Sequence, residues 1–153
     1  MMRHRTAPTH LAGLLLLCLA LPLQAQQYEQ VGNHQIHYSA VSTSFLSPEV
    51  AANHGIQRSP AMALLNVSVL EELEDGTTRP VNAPVTGEVG EVGSTSPASL
   101  SFRSLRDGDA QSQIATFRII EDEPMRFDLQ VRYDRNREPA RVSFIQRFYI
   151  ERE

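Results

Sequence analysis

Residues 125–133 are apolar at every odd position and polar at every even one: Met125, Phe127, Leu129, Val131 and Tyr133 alternate with Arg126, Asp128, Gln130 and Arg132. Only an extended strand gathers those five apolar side chains on one face; a helix would spread them around its circumference. Weaker runs of period two predict further strands. Residues 35–41 align Ile36, Tyr38 and Ala40. Residues 64–73 align Leu65, Val67, Val69 and Leu73, with Glu71 as the one intrusion. Residues 99–105 offer Leu100 and Phe102, and residues 112–120 set Ala115, Phe117 and Ile119 on one face with Ile114 and Ile120 on the other. The last run, 141–150, places Val142, Phe144, Phe148 and Ile150 on one side and Ile145 and Tyr149 on the other. Apolar character on both faces predicts a strand that is central in its sheet or otherwise covered.

Turn chemistry separates these runs. Asp75-Gly76 is a hairpin signal, because that pair accepts the positive φ of a tight turn. Asp107-Gly108-Asp109 marks another connection, and the loops ending in Pro124 and Pro139 lead into strands. Residues 87–97, rich in Gly, Ser and Thr, read as a weak strand or a long mobile loop. One short helix is expected: Ser47 caps it, Pro48 suits its first position, Glu49 meets its positive end and Gly55 stops it. The sum is an all-β chain, an antiparallel β-sandwich that is loosely immunoglobulin-like, with seven to nine strands and one short helix. The connection 44–60 is unusually defined; it reads as a binding feature or, preferably, as a plug in which Phe45, Leu46 and Val50 fill one open end of the core.

The first residues break this pattern. Arg3 and Arg5 precede an apolar run over 11–23, and Leu23-Gln24-Ala25 ends on a small residue. A basic head, a short apolar middle and a small residue describe a secretory signal peptide, with cleavage expected after Ala25. The run is too short to span a bilayer, which takes roughly 20 residues. Cys18 sits inside it behind Leu17, not behind the small residue that lipid attachment at a cysteine needs. The expected organisation is therefore a cleaved leader over 1–25 and a single domain over 26–153, delivered to the periplasm.

Composition narrows the chemistry. Removal of the leader takes away the only Cys, leaving neither a disulfide nor a thiol nucleophile, so the core alone must supply stability. All 14 basic residues are Arg. A chain without Lys has no Schiff-base or phosphate-loop lysine. Losing Arg3 and Arg5 leaves 12 arginines against 18 acids, a net charge near −6, which argues against nucleic acid as a partner.

Candidate sites are few. His34 and His37 lie three apart, so on a strand they face opposite sides and make a poor metal pair. Asp107 and Asp109 flank Gly108 beside Arg106, a pair of carboxylates that would suit a sugar hydroxyl but falls short of the six to eight oxygens calcium takes. Arg58 follows the short helix inside the specialised 44–60 connection. No nucleophile with its base is recognisable: there is no Gly-x-Ser-x-Gly turn and no His-Glu-x-x-His helix. Neither a cofactor nor a metal is expected.

Several segments together carry a resemblance. They are His37-Tyr38-Ser39-Ala40, the stretch Ser44-Phe45-Leu46-Ser47-Pro48-Glu49-Val50-Ala51, Gly55-Ile56-Gln57-Arg58-Ser59, Leu65-Asn66-Val67-Ser68-Val69, the Arg106-Asp107-Gly108-Asp109 turn, Ala115-Thr116-Phe117, Arg126-Phe127-Asp128-Leu129-Gln130-Val131 and the terminal Phe144-Ile145-Gln146-Arg147-Phe148-Tyr149. In this order they resemble the exported bacterial domain-of-unknown-function family DUF4426, over nearly all of the chain after the leader. The resemblance implies an envelope location in a Gram-negative bacterium and supplies no activity. The expected function is a non-enzymatic domain that binds another envelope protein or a peptide. The alternative is a small-molecule or carbohydrate binder using Arg106, Asp107 and Asp109, with Arg58 as a further candidate. A hydrolase with a dispersed site is the third and weakest reading.

Overall fold

The structure, a computed structural model, describes residues 27–150 and residue 152. The proposed leader over 1–25 lies outside the described residues. In chain order the elements are β1 (Gln27–Val31), β2 (His34–Ser42), a 3-10 turn (Thr43–Phe45), α1 (Pro48–Asn53), β3 (Met62–Glu72), β4 (Thr78–Val81), β5 (Val85–Glu91), β6 (Ala98–Ser99), β7 (Arg103–Asp107), β8 (Ala110–Arg118), β9 (Pro124–Val131) and β10 (Ala140–Arg147). Two of these ten strands, β4 and β6, are too short to register as period-two runs.

The strands form two antiparallel sheets, stacked as a sandwich. The first runs β1-β2-β3-β8-β7, with β4 pairing the end of β3; the second runs β10-β9-β5-β6. Period two decides what fills the space between them. Ile36, Leu65, Val67 and Val69 point inward from the first sheet, and Met125, Phe127, Leu129, Val131 and Val142 from the second, all fully or almost fully buried. Phe127 stands at the centre. Its ring stacks on Phe144 of the neighbouring strand at 4.4 Å and 7°. It meets Phe117 of the opposite sheet edge-on at 5.1 Å and 74°. Aromatic pairs of these geometries add about 0.5–1.5 kcal/mol each beyond simple burial.

The turns and the helix form as the sequence indicates. Gly76 takes φ +84° between β3 and β4. Ser47 Oγ accepts from the Val50 amide at 3.1 Å, Pro48 opens α1, and Gly55 follows it with φ +64°.

Three expectations need correction, and one alternative is decided. Of the two readings of residues 87–97, the strand holds for the first part: residues 87–91 belong to β5, which lies between β9 and β6. Its glycines hide it from a hydrophobic pattern, yet Gly87 has a packing reason. A Cβ there would sit 2.6 Å from the Asp128 carbonyl oxygen and 2.7 Å from Leu129 Cδ2. Leu73 falls outside β3 and is exposed, because the β3–β4 turn begins there. The last strand is neither central nor covered. β10 is the edge of its sheet, and Ile145 and Tyr149 are 56% and 65% exposed. Finally, the 44–60 connection does not plug the sandwich. Ala51 and Ile56 pack with Leu64 and Ile114, whose side chains lie on the outer face of the first sheet, and Leu46 joins them. The helix thus covers a sheet face, while Phe45 stays 68% exposed and Val50 is exposed too.

Two stability outcomes follow. Phe127→Ala should lower the urea unfolding free energy by about 3–5 kcal/mol, against a change within about 0.5 kcal/mol for Ile145→Ala. Gly87→Ala should destabilise, reversing the gain of about 0.5–1 kcal/mol that replacing a strand glycine ordinarily brings; an unchanged or raised midpoint would refute the close approach.

Candidate functional site

The residues singled out by sequence do not converge. Arg106, Asp107 and Asp109 occupy the β7–β8 hairpin, where Asp107 pairs with Ala110 and Gly108 leads the two-residue loop at φ +61°. All three side chains are exposed, and among the described residues none makes a side-chain hydrogen bond or ion pair. Arg58 lies at the other end of the sandwich and donates to the Ser44 carbonyl at 3.0 Å. The length of β8, about 27 Å at ~3.4 Å per residue, separates the two ends. His34 is buried against Tyr133, ring centroids 5.0 Å apart. His37 stacks on Tyr28 at 5.2 Å and bonds Gln35 Oε1 at 3.0 Å; burial holds its pKa below the ordinary histidine value. The acidic run 121–123 is engaged: Asp122 pairs with Arg147 at 2.9 Å, and Glu121 with Arg152. Among the described residues no three His, Cys, Asp or Glu side chains gather as a metal site would require.

The feature with chemistry to offer is the free edge of β10. In an antiparallel ladder each residue turns both its N–H and its C=O to the same side, alternating along the strand. The Arg132 amide donates to the Pro84 carbonyl at 2.9 Å, and the Leu100 amide to the Gly87 carbonyl at 2.9 Å. These bonds fix the alternation. Arg126, Asp128 and Gln130 turn to β5, so Phe127, Leu129 and Val131 turn to β10 and pair with Phe144, Val142 and Ala140. The backbone groups of Arg141, Ser143, Ile145 and Arg147 therefore face outward, where no strand among the described residues pairs with them. Beside this edge, among the described residues, the upper part of β2 has no partner on its β1 side, since the pairing with β1 reaches only to Tyr38. Across the seam between the two, Tyr38 stacks on Phe144 with ring centroids 4.7 Å apart, and Gln146 Nε2 donates to the Ala40 carbonyl at 3.0 Å. Val41 and Phe45 are exposed on the β2 side of that seam, and Ile145 and Tyr149 on the β10 side. The sequence carried this signal: a second apolar face on residues 145 and 149 that none of the described elements covers.

The outer face of the second sheet is polar. Asp128 on β9 faces its cross-strand partner Ser143, whose Oγ donates to it at 2.7 Å. Arg126, two residues before, donates through Nε to both carboxylate oxygens at 3.0 and 3.2 Å. These bonds, from Arg126 first and Ser143 second, hold the Asp128 carboxyl below the usual aspartate range. A shallow hollow of about 490 Å³ lies over this group, with Arg141, Glu88 and Gln130 at its margin. A second, of about 460 Å³, is lined by His34, Tyr133 and Arg132 at the hairpin end. A third, of about 450 Å³, lies beside α1. Neither Arg106 nor Asp109 lines any of these three.

The sequence model of the family described as a domain of unknown function, DUF4426, matches residues 28–151. No curated protein matches. The crystal structure of a DUF4426 family protein from Pseudomonas aeruginosa is similar, with a TM-score of 0.71 at 28% sequence identity, over 85% of this chain and 99% of that one.

The Asp128 network has a measurable sign. Its folded pKa is depressed, so its contribution to stability is present above the ordinary value of 3.8 and is lost as pH falls through the folded value. Carbon-detected NMR titration of the side-chain carboxyl should find Asp128 titrating below 3.8, and Arg126→Ala should move it upward; a titration indifferent to Arg126 would contradict the geometry.

Proposed function

The chain belongs to the DUF4426 family, and on that premise we propose that it is an exported, non-enzymatic envelope domain that binds an extended segment of another protein by adding it as a strand to β10. The leader pattern over 1–25 supports export to the periplasm. The observation that carries the binding reading is the β10 edge, eight residues in unbroken register with β9.

The chemistry of strand addition requires two things. Main-chain donors and acceptors must be free in a row, and alternate side chains must offer a surface to read. Arg141, Ser143, Ile145 and Arg147 supply the first. Their side chains also share the outer face, so an incoming strand would meet arginines at either end with a hydroxyl and an isoleucine between. Isolated edges are ordinarily blunted by a bulge, a proline or a covering element. β10 contains no proline, runs without a bulge and is covered by none of the described elements. Its arginines are the one blunting device present.

Ile145→Pro separates binding from folding. Proline is tolerated on an edge strand where its nitrogen faces solvent, so the variant should keep its circular dichroism spectrum and melting point within a few degrees. A photo-crosslinking residue at position 143, introduced in cells, should give a discrete adduct in the periplasmic fraction that Ile145→Pro abolishes. The same probe at position 109 should give none. Equal adducts from both positions, or adducts indifferent to the proline, would refute edge pairing.

A further inference from the structure

We propose that the hollow beside α1 is a binding site for a small organic anion, a carboxylate or phosphate monoester carried on a short apolar body. The site is independent of the β10 edge and lies on the other sheet. It exists because the chain after α1 runs over the outer face of the first sheet without filling it. Leu64 and Ile114 form the floor with Ile56, all three buried, and Met62 extends it. The segment 55–59 makes one wall, and Ser101 and Arg103, where the chain enters β7, make another. The volume, about 450 Å³, lies within the range of about 300–1,000 Å³ typical of small-molecule sites.

Its charge is what selects the ligand. Arg103 and Arg118 both line the hollow, and no Asp or Glu does, in a chain whose net charge is −4. Neither arginine has a carboxylate partner among the described residues, whereas Arg79, Arg126, Arg137, Arg147 and Arg152 each do. Arg103 is held instead by the backbone carbonyl of His54, at the end of α1. One nitrogen of its planar fork is thereby anchored, and its other donors remain for a ligand. Arg118 approaches from β8, beside Thr116 on the same face. The guanidinium fork matches carboxylate and phosphate oxygens in pairs, which a cationic or neutral headgroup cannot exploit. Three hydroxyls complete the lining: Ser59, Ser101 and Thr116. Ser59 Oγ already accepts from the Ala61 amide at 3.2 Å, so its own proton is the part left to give. The apolar floor gains from contact with a hydrocarbon tail, at about 25 cal/mol per Å² removed from water. A bare anion would not use it.

The test is an amide-resonance titration of the 15N-labelled protein with octanoate and with octyl phosphate. Acetate and octyl glucoside serve as the headgroup-only and tail-only controls. Saturable shifts confined to residues 55–64, 101–103 and 114–118 are expected with one or both amphiphilic anions, and the tighter of the two identifies the headgroup. Arg118→Gln and Arg103→Gln should each weaken binding at least tenfold, and Arg137→Gln should leave it unchanged. The spectrum itself reports whether each variant is folded. The proposal is overturned if neither anion shifts these residues. It is overturned equally if acetate or octyl glucoside binds as tightly, or if both glutamine variants bind as the parent does.

Discussion

The structure depends on one constraint: two sheets must hold together across a dry interface with no covalent link between them. Cys18 is the only cysteine, and it precedes the described domain. The task falls on the aromatic cluster around Phe127. Phe127 and Phe144 come from adjacent strands of one sheet, Phe117 from the other, and Phe148 closes the group edge-on to Phe117 at 5.5 Å. Large flat rings bridge the gap between sheets where aliphatic side chains of β-branched residues would leave space. Everything else is arranged around that stack. β9 is flanked by both of its neighbours, β5 and β10, and the first sheet presents β2, β3 and β8 to it.

Much of this was legible from residue order. The alternation over 125–133 defines β9 because one face of that strand is wholly buried and the other wholly polar. β2, β3 and β8 follow the same rule, with boundaries set by turn residues. The helix was legible because Ser47, Pro48 and Gly55 are local signals, answered by local hydrogen bonds. What failed was non-local. Whether residues 145 and 149 are covered depends on which strand comes to lie beside β10, and no pattern within β10 encodes that. The strand over 85–91 was obscured because glycine has no hydropathy to read, although Gly87 is there to let two backbones meet.

The candidate sites divide along the same line. Arg106, Asp107 and Asp109 are conspicuous in sequence because turn residues cluster, and the fold places them at an exposed hairpin with no partner. Arg103 and Arg118 are inconspicuous, fifteen positions apart in otherwise ordinary strands. They share a hollow only because β7 and β8 are paired and the segment after α1 runs over the same sheet face. Ligand-binding geometry made by tertiary neighbours leaves no trace in spacing.

The edge of β10 has a consequence for the protein at high concentration. Two copies could pair their outward-facing residues directly, β10 against β10. A full-length antiparallel match would set Ser143 opposite Ile145 and Arg141 opposite Arg147, at both ends of the new ladder. Like charges facing each other across strands oppose pairing. Arg141 and Arg147, at the two ends of this edge, weigh against self-pairing, Arg147 the less so because Asp122 pairs with it at 2.9 Å. The placement of two side chains thus sets which strands this edge will accept.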